Sequence, residues 1–198
     1  MDQQIHVKAQ TLYGLARQAG LITSEPFSTV FSQEILRGIS EMLDRERTFL
    51  IHSKPKTEDP EKLWKEGIDL KISELVAQEL LDFLQNIHKA FSVAYDQPVE
   101  DVVFNFRTVS EDLSISDLGE KQENGKWFQG MKIDEETFWY LADEPALVQD
   151  TLHDINQKLS PLSKGILRAD FRDQDQYVVI DLKHLPEFEK FGFSSVSW

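Results

Sequence analysis

From Ile72 to Tyr95 the apolar residues Leu75, Val76, Leu80, Leu84, Ile87 and Phe91 recur at intervals of three and four, the strongest periodicity in the chain. Side chains so spaced share one stripe of an α-helix, and that stripe has to be buried against a partner surface. Two earlier stretches carry the same period. Residues 3–19 place Ile5, Leu12, Tyr13, Ala16 and Ala19 on one side, with Gly20 as a stop signal. After Glu25-Pro26 a second helix is predicted to begin near Ser28, with Phe31, Ile35, Ile39, Met42 and Leu43 as its stripe and Phe49 and Leu50 prolonging it. Gly38 lies inside that stripe, where it costs about 1 kcal/mol relative to Ala and suits a close helix crossing.

Pro55 and Pro60 end the second helix by about Lys54, because proline cannot continue a helix interior. Residues 53–69, with both prolines, mixed charges and the lone Trp64, read as a linker ahead of the third helix. Pro98 closes that helix, so residues 1–97 form a helical subregion.

Beyond Pro98, in residues 98–198, the pattern becomes mixed. Asp101 to Thr108 contains Val-Val-Phe-Asn-Phe-Arg, β-branched and aromatic, and reads as a strand. Ser110 to Asn124 is polar and acidic and reads as a long loop with a helical turn. Asn124-Gly125 marks a turn before a strand from Lys126 to Lys132. Asp134 looks like an N-cap, with Glu135 and Glu136 in the first turn and Ile133 and Phe138 spaced as a hydrophobic staple. Leu147, Val148, Leu152, Ile155 and Leu159 predict a helix from about Pro145 to Leu159, followed by a Ser160-Pro161 turn ending at Gly165. Ile166–Arg172 and Tyr177–Leu182 flank Asp173-Gln174-Asp175-Gln176 as a β-hairpin, and Phe188, Phe191, Phe193 and Trp198 make the tail aromatic. Helices first, then a small antiparallel sheet with two further helices and a C-terminal hairpin, is an α+β arrangement. At 198 residues one domain is the simplest expectation.

Composition narrows the chemistry. No cysteine is present, which removes disulfides, thiolate nucleophiles, iron–sulfur clusters and cysteine zinc sites together. The start Met1-Asp2-Gln3-Gln4 has neither a basic nor an apolar signal region, and no window approaches 18 uninterrupted apolar residues. The expected location is the cytoplasm. Net charge is −14, and the acid excess concentrates in residues 101–150, where twelve acids face four bases. Such a surface repels phosphates and anionic lipid, so direct nucleic-acid and membrane binding are not expected.

Catalytic signatures are missing. There is no GxGxxG, Walker, GxSxG or HExxH pattern. Asp150, His153 and Asp154 share one helix face at the i, i+3, i+4 spacing that could hold a metal ion. That face lies largely opposite the apolar positions, so a solvated polar surface is the better reading. His88 borders the third helix's stripe without the repeated Glu-x-x-His of a bundle metal site, and His184 has no visible partner. Adjacent carboxylates such as Asp143-Glu144 do not make a glycosidase pair, which needs two carboxylates across a cleft. No catalytic residue, metal or cofactor is assigned.

The aromatic clusters carry the remaining signal. Trp127-Phe128 and Phe138-Trp139-Tyr140 bracket the most acidic region, and three consecutive aromatics cannot all point inward from one helix. Trp127, Phe128, Trp139 and Tyr140, with Glu135 and Glu136, are therefore the expected contact residues for a basic protein partner. The functional expectation is an acidic interaction module of the adaptor, chaperone, immunity or inhibitor type. The alternatives are an enzyme or small-molecule binder built from dispersed His88, Asp150, His153 and His184, and an acidic mimic of nucleic acid. Homo-oligomerisation is compatible with the helical half.

Overall fold

The first helix, α1 (Asp2–Gln18), buries Ile5, Ala9, Leu12, Leu15 and Ala16, the stripe anticipated from the sequence. It ends in a Schellman motif. Gly20 takes φ +74, its N–H donates to the Arg17 carbonyl at 3.1 Å, and the Leu21 N–H reaches back to Ala16 at 2.9 Å. The computed structural model describes residues 1–53, 59–169 and 175–196. Pro55, the predicted turn residues Asp173 and Gln174, and Trp198 lie outside that range.

The chain divides into two compact units, Met1–Phe83 with Glu187–Gly192, and Leu84–Pro186 with Phe193–Trp198. In the first unit the expected second helix is split. A single turn, α2 (Phe27–Val30), is followed by an extended break at Phe31, and α3 runs Gln33–Ser53. The Ser32 hydroxyl accepts the Ile35 N–H at 3.2 Å, an N-cap that restarts the helix. Phe31 thus leaves the helical stripe and is buried in the break.

The helix α4 (Pro60–Asn86) begins well before the Ile72 expected from periodicity. Asp59 caps it by accepting the N–H groups of Glu61 and Lys62 at 3.1 and 3.3 Å, and Pro60 occupies a first-turn position where no N–H is required. Residues 60–69, read as linker, are therefore helical. Arg47–Glu61 and Glu46–Lys71 ion pairs, at 2.8 and 3.4 Å, tie α3 to this early part of α4. Ile72, Val76, Ala77, Leu80 and Leu81 are fully buried in α4's later turns.

In the second unit α4 stops at a second Schellman motif. His88 adopts φ +56, its N–H bonds Gln85 at 3.2 Å, and the Lys89 N–H bonds Leu84 at 2.8 Å. Phe91, expected on the helix, lies in the strand β1 (Ala90–Val93). The predicted strand Asp101–Thr108 is instead the helix α5 (Val99–Val109), which buries Val99, Val102, Val103 and Phe106. Those positions follow helical spacing, and packing overrides the local β preference of Val and Phe. The predicted acidic loop is mostly the strand β2 (Ile115–Glu123), which pairs with β3 (Lys126–Ile133) through Asn124 and Gly125, both at positive φ as a type I′ turn requires. The predicted helix after Asp134 is the strand β4 (Glu136–Leu141), and Asp134 itself, at φ +51, forms the hairpin turn rather than an N-cap.

The remaining elements follow expectation more closely. The helix α6 (Leu147–Leu159) buries all five predicted positions, together with Thr151. Ser163 in the left-handed region closes the turn at Ser160–Leu162, so Gly165 falls inside β5 (Lys164–Ala169). This strand pairs antiparallel with β6 (Asp175–Asp181), and the short α7 (Leu185–Glu189) leads to β7 (Phe193–Ser195). Two antiparallel sheets result, ordered β1-β6-β5-β7 and β2-β3-β4, and the class is α+β. The core of this unit gathers Phe91 and Tyr177, stacked at 5.2 Å between ring centroids, with Phe106, Met131, Leu152 and Ile166. No helix among the described residues is long and apolar enough to cross a membrane.

Candidate functional site

Alternation along β3 and β4 sorts the candidate aromatics onto two faces, since successive strand residues point to opposite sides. Met131 pairs with Phe138, and Gln129 with Tyr140; these residues share the side of the sheet occupied by the core, as do Ile133 and its partner Glu136. Gly130 pairs with Trp139 and Phe128 with Leu141 on the opposite side. A register shift between Asp117 and Gly119 brings Lys121 opposite Phe128 on that same open side. Both helices that pack against this sheet, α5 and α6, join the core around Met131, Ile133 and Phe138.

The open face is organised around Trp139. A Cβ placed on Gly130 would come within 2.6 Å of the Trp139 ring, so the indole lies directly across the bare glycine backbone. The Lys121 ammonium stands 4.2 Å from the Trp139 ring centroid and 5.8 Å from that of Phe128, a cation–π arrangement. Phe128, Trp139 and Leu141 are all half-buried, although no helix is stacked over them among the described residues. Lys121 pairs with Glu123 at 3.6 Å and Lys132 with Glu135 at 3.4 Å, which leaves the open face near neutrality.

The core-facing members have internal duties. The Tyr140 hydroxyl donates to Asp154 at 2.7 Å, and burial followed by this hydrogen bond pushes the phenol pKa well above its ordinary value. Gln129 accepts the Val99 N–H at 2.9 Å, satisfying an open donor at the start of α5, and its amide donates to Glu120 at 3.1 Å. Glu136 pairs with Lys158 of α6, whose ammonium also stands over the Phe138 ring. Trp127 is on this side too, but lies toward the sheet's end and is 49% exposed. Its carbonyl accepts the Ala142 N–H at 2.9 Å, directly before Asp143 and Glu144.

Of the six residues predicted to contact a partner, the structure therefore brings Phe128 and Trp139 together on the open face. Tyr140 and Glu136 are turned toward α6, Glu135 stands at the β3–β4 turn with a 97% exposed side chain, and Trp127 edges the sheet. Lys121, Gly130 and Leu141 complete the face. They could have been found in the sequence once residues 136–141 were read as a strand, because alternation then fixes which residues share a side.

Much of the acidity of residues 101–150 is engaged internally. Asp112 contacts Lys164 at 2.5 Å and accepts the Ser110 hydroxyl at 2.8 Å. Burial pushes its carboxyl up, but these two hydrogen bonds outweigh it and hold the pKa below the ordinary range. Asp117 and Asp134 accept the backbone N–H groups of Gly119 and Ser114. Asp101, Glu111, Asp143 and Glu144 make no side-chain hydrogen bond or ion pair among the described residues.

The dispersed histidines do not assemble. His153 contacts Gln157 at 2.7 Å, and its neighbour Asp154 is held by Tyr140. His88 is exposed in the turn after α4, and the His184 Nε2 is buried without a hydrogen-bond partner among the described residues. No group of three or more His, Asp or Glu side chains among those residues is arranged to hold a metal ion. Against known protein families, curated proteins and solved structures, the chain finds no match.

Proposed function

We propose that this chain is a protein-interaction module that docks its partner on the open face of the β2-β3-β4 sheet. The observation that carries the reading is the Phe128–Trp139–Leu141 strip, an aromatic and aliphatic surface of the sheet with no helix packed over it among the described residues. Aromatic side chains held in place lose little freedom on binding, which is why they concentrate at interface centres. Asp143 and Glu144, adjoining the strip where β4 ends and without side-chain partners among the described residues, favour a basic partner by complementarity and by steering.

Affinity capture from the native host's lysate tests this reading. Wild-type protein is expected to retain one basic partner at low salt and to shed it at high salt, because exposed charges are screened. Leu141→Ser and the double change Asp143→Lys/Glu144→Lys should each reduce the retained partner at least about tenfold, equivalent to 1.4 kcal/mol, while the circular dichroism spectrum is unchanged. Equal retention by both variants would remove this face from consideration.

A further inference from the structure

We infer that the outer edge of β4 is a strand-addition site, along which the basic partner proposed above lays an extended segment of its chain, a mode of docking that rests on the sheet-face reading and deepens it. Register fixes which backbone groups are open. The Ala142 N–H donates to the Trp127 carbonyl at 2.9 Å, so Trp127 and Ala142 form a hydrogen-bonded pair that continues the β3–β4 ladder. Such pairs alternate along an antiparallel ladder, and the unbroken register makes the others Gln129–Tyr140, Met131–Phe138 and Ile133–Glu136. Thr137, Trp139 and Leu141 therefore turn their N–H and C=O groups away from β3. The Leu141 carbonyl accepts the Glu144 N–H at 3.1 Å, which closes the edge at its end. The N–H and C=O of Thr137 and Trp139 and the N–H of Leu141 make no hydrogen bond among the described residues.

Sheet edges are ordinarily blunted against a passing strand by shortness, charge, proline or a bulge. Of the four edges of the two sheets, three follow that rule. β1 has four residues and β7 three. β2 is broken by the register shift between Asp117 and Gly119, and Glu120, Lys121 and Glu123 stand along it. β4 has none of these devices: its register is regular, and after Glu136 it runs Thr-Phe-Trp-Tyr-Leu without proline or charge. The helix packed on it, α6, lies on the core side, where it holds Tyr140 through Asp154 and Glu136 through Lys158. The residues that open the edge also carry their side chains on the open face, since both properties alternate with a period of two. A segment added to β4 is thus held by main-chain bonds while every second side chain lies beside Trp139 or Leu141.

Charge decides between occupants. Residues 134–144 carry five acids and no base. Glu135 and Glu136 meet Lys132 and Lys158, whereas Asp143 and Glu144 have no side-chain partner among the described residues. A second copy of β4, added antiparallel about Trp139, would set Glu135 against Asp143 and Asp134 against Glu144, and like charges directly opposite destabilise a strand pair. A parallel copy would set each acidic end beside its like. An extended segment with Lys or Arg beside Asp143 and Glu144 meets the opposite sign instead. The occupant is therefore a basic, extended stretch about as long as the six residues of β4, with apolar or β-branched residues on the Trp139 side.

The probe is a displayed library of random peptides long enough to span β4, panned on the full-length chain. Enriched peptides should be basic with alternating apolar or β-branched residues, and should bind more weakly as salt rises. Thr137→Pro removes an outward N–H and sets a ring at the edge while leaving the ladder to β3 intact, as proline on an edge strand does. It should weaken the enriched peptides at least about tenfold with the circular dichroism spectrum unchanged. Amide exchange on the wild type gives a readout that needs no variant. The Thr137 and Trp139 N–H groups should exchange faster than those of Phe138 and Tyr140 in the free protein, and should slow when an enriched peptide is added. No enrichment, peptides that bind Thr137→Pro as they bind wild type, or Thr137 and Trp139 amides that stay fast with peptide bound would each overturn the strand-addition site. Binding lost in Leu141→Ser but kept in Thr137→Pro would overturn it while leaving the open face as the docking surface. Failure of the sheet-face reading looks different: the wild type then retains no basic partner from lysate, and the edge falls with the face.

Discussion

His88 holds a left-handed backbone conformation that costs an L-residue with a Cβ about 1–2 kcal/mol, in a Schellman motif where Gly20 fills the equivalent place at the end of α1. Its side chain is exposed and makes no hydrogen bond among the described residues. Replacing His88 by Gly should therefore stabilise the chain by roughly 0.5–1 kcal/mol, after allowing for glycine's greater freedom when unfolded. Gly20→Ala should lose a comparable amount, and urea unfolding of the two variants measures both. Two ionisable groups give the stability a dependence on pH. Asp112 has a folded pKa below its ordinary value of 3.8, so its contribution is complete above that value and is lost as acid protonates it. Asp112→Asn should be less stable than wild type at neutral pH, and the gap should close below about pH 4. Tyr140 is the opposite case. Its folded phenol stays protonated where the unfolded one ionises, so its contribution is complete below pH 10 and is lost as pH rises further. Tyr140→Phe should flatten the alkaline decline in stability while costing about 1–2 kcal/mol at neutral pH, where Asp154 loses its donor.

At the scale of elements, Gly130 and Trp139 act as a single cross-strand unit. A Gly130→Val change puts carbon atoms where the indole ring lies, so the ring must lift off the sheet. The expected cost is about 1–3 kcal/mol, as for other overpacked sites, with a red-shifted tryptophan emission as Trp139 enters water. The α6 stripe was legible because all five predicted positions repeat with helical period and are buried. The Asn124-Gly125 turn was legible because few residue pairs accept two positive φ angles. In α5, Val102-Val103-Phe104-Asn105-Phe106 has β-branched and aromatic composition, and the deciding contacts come from residues far away in the chain, so local preference misleads. Asp134-Glu135-Glu136 has the composition of a helix's first turn, yet Asp134 at φ +51 serves a tight hairpin equally well. With β4 taken for a helix, the partition of Phe138, Trp139 and Tyr140 onto two faces was invisible, and with it most of the candidate surface.

At the scale of the molecule, the described residues leave large apolar side chains exposed in both compact units, among them Phe49 at 73% and Phe104 at 65%. The sheet face, backed by α5 and α6 and adjoined by Asp143 and Glu144, whose carboxylates have no partner among the described residues, is the surface proposed above for a basic partner.

The route of the backbone has a consequence for how such a chain can be made. Phe188 and Phe191 are buried and belong to the first unit, yet about a hundred residues of the second unit intervene between them and Phe83. During synthesis the first unit must wait with two aromatic places unfilled until residues 187–192 emerge, long after its helices could form. A fragment ending at Phe83 should accordingly be helical but loosely packed, and should bind hydrophobic dyes that the intact protein ignores. Adding a synthetic peptide spanning Leu185–Phe193 should tighten it.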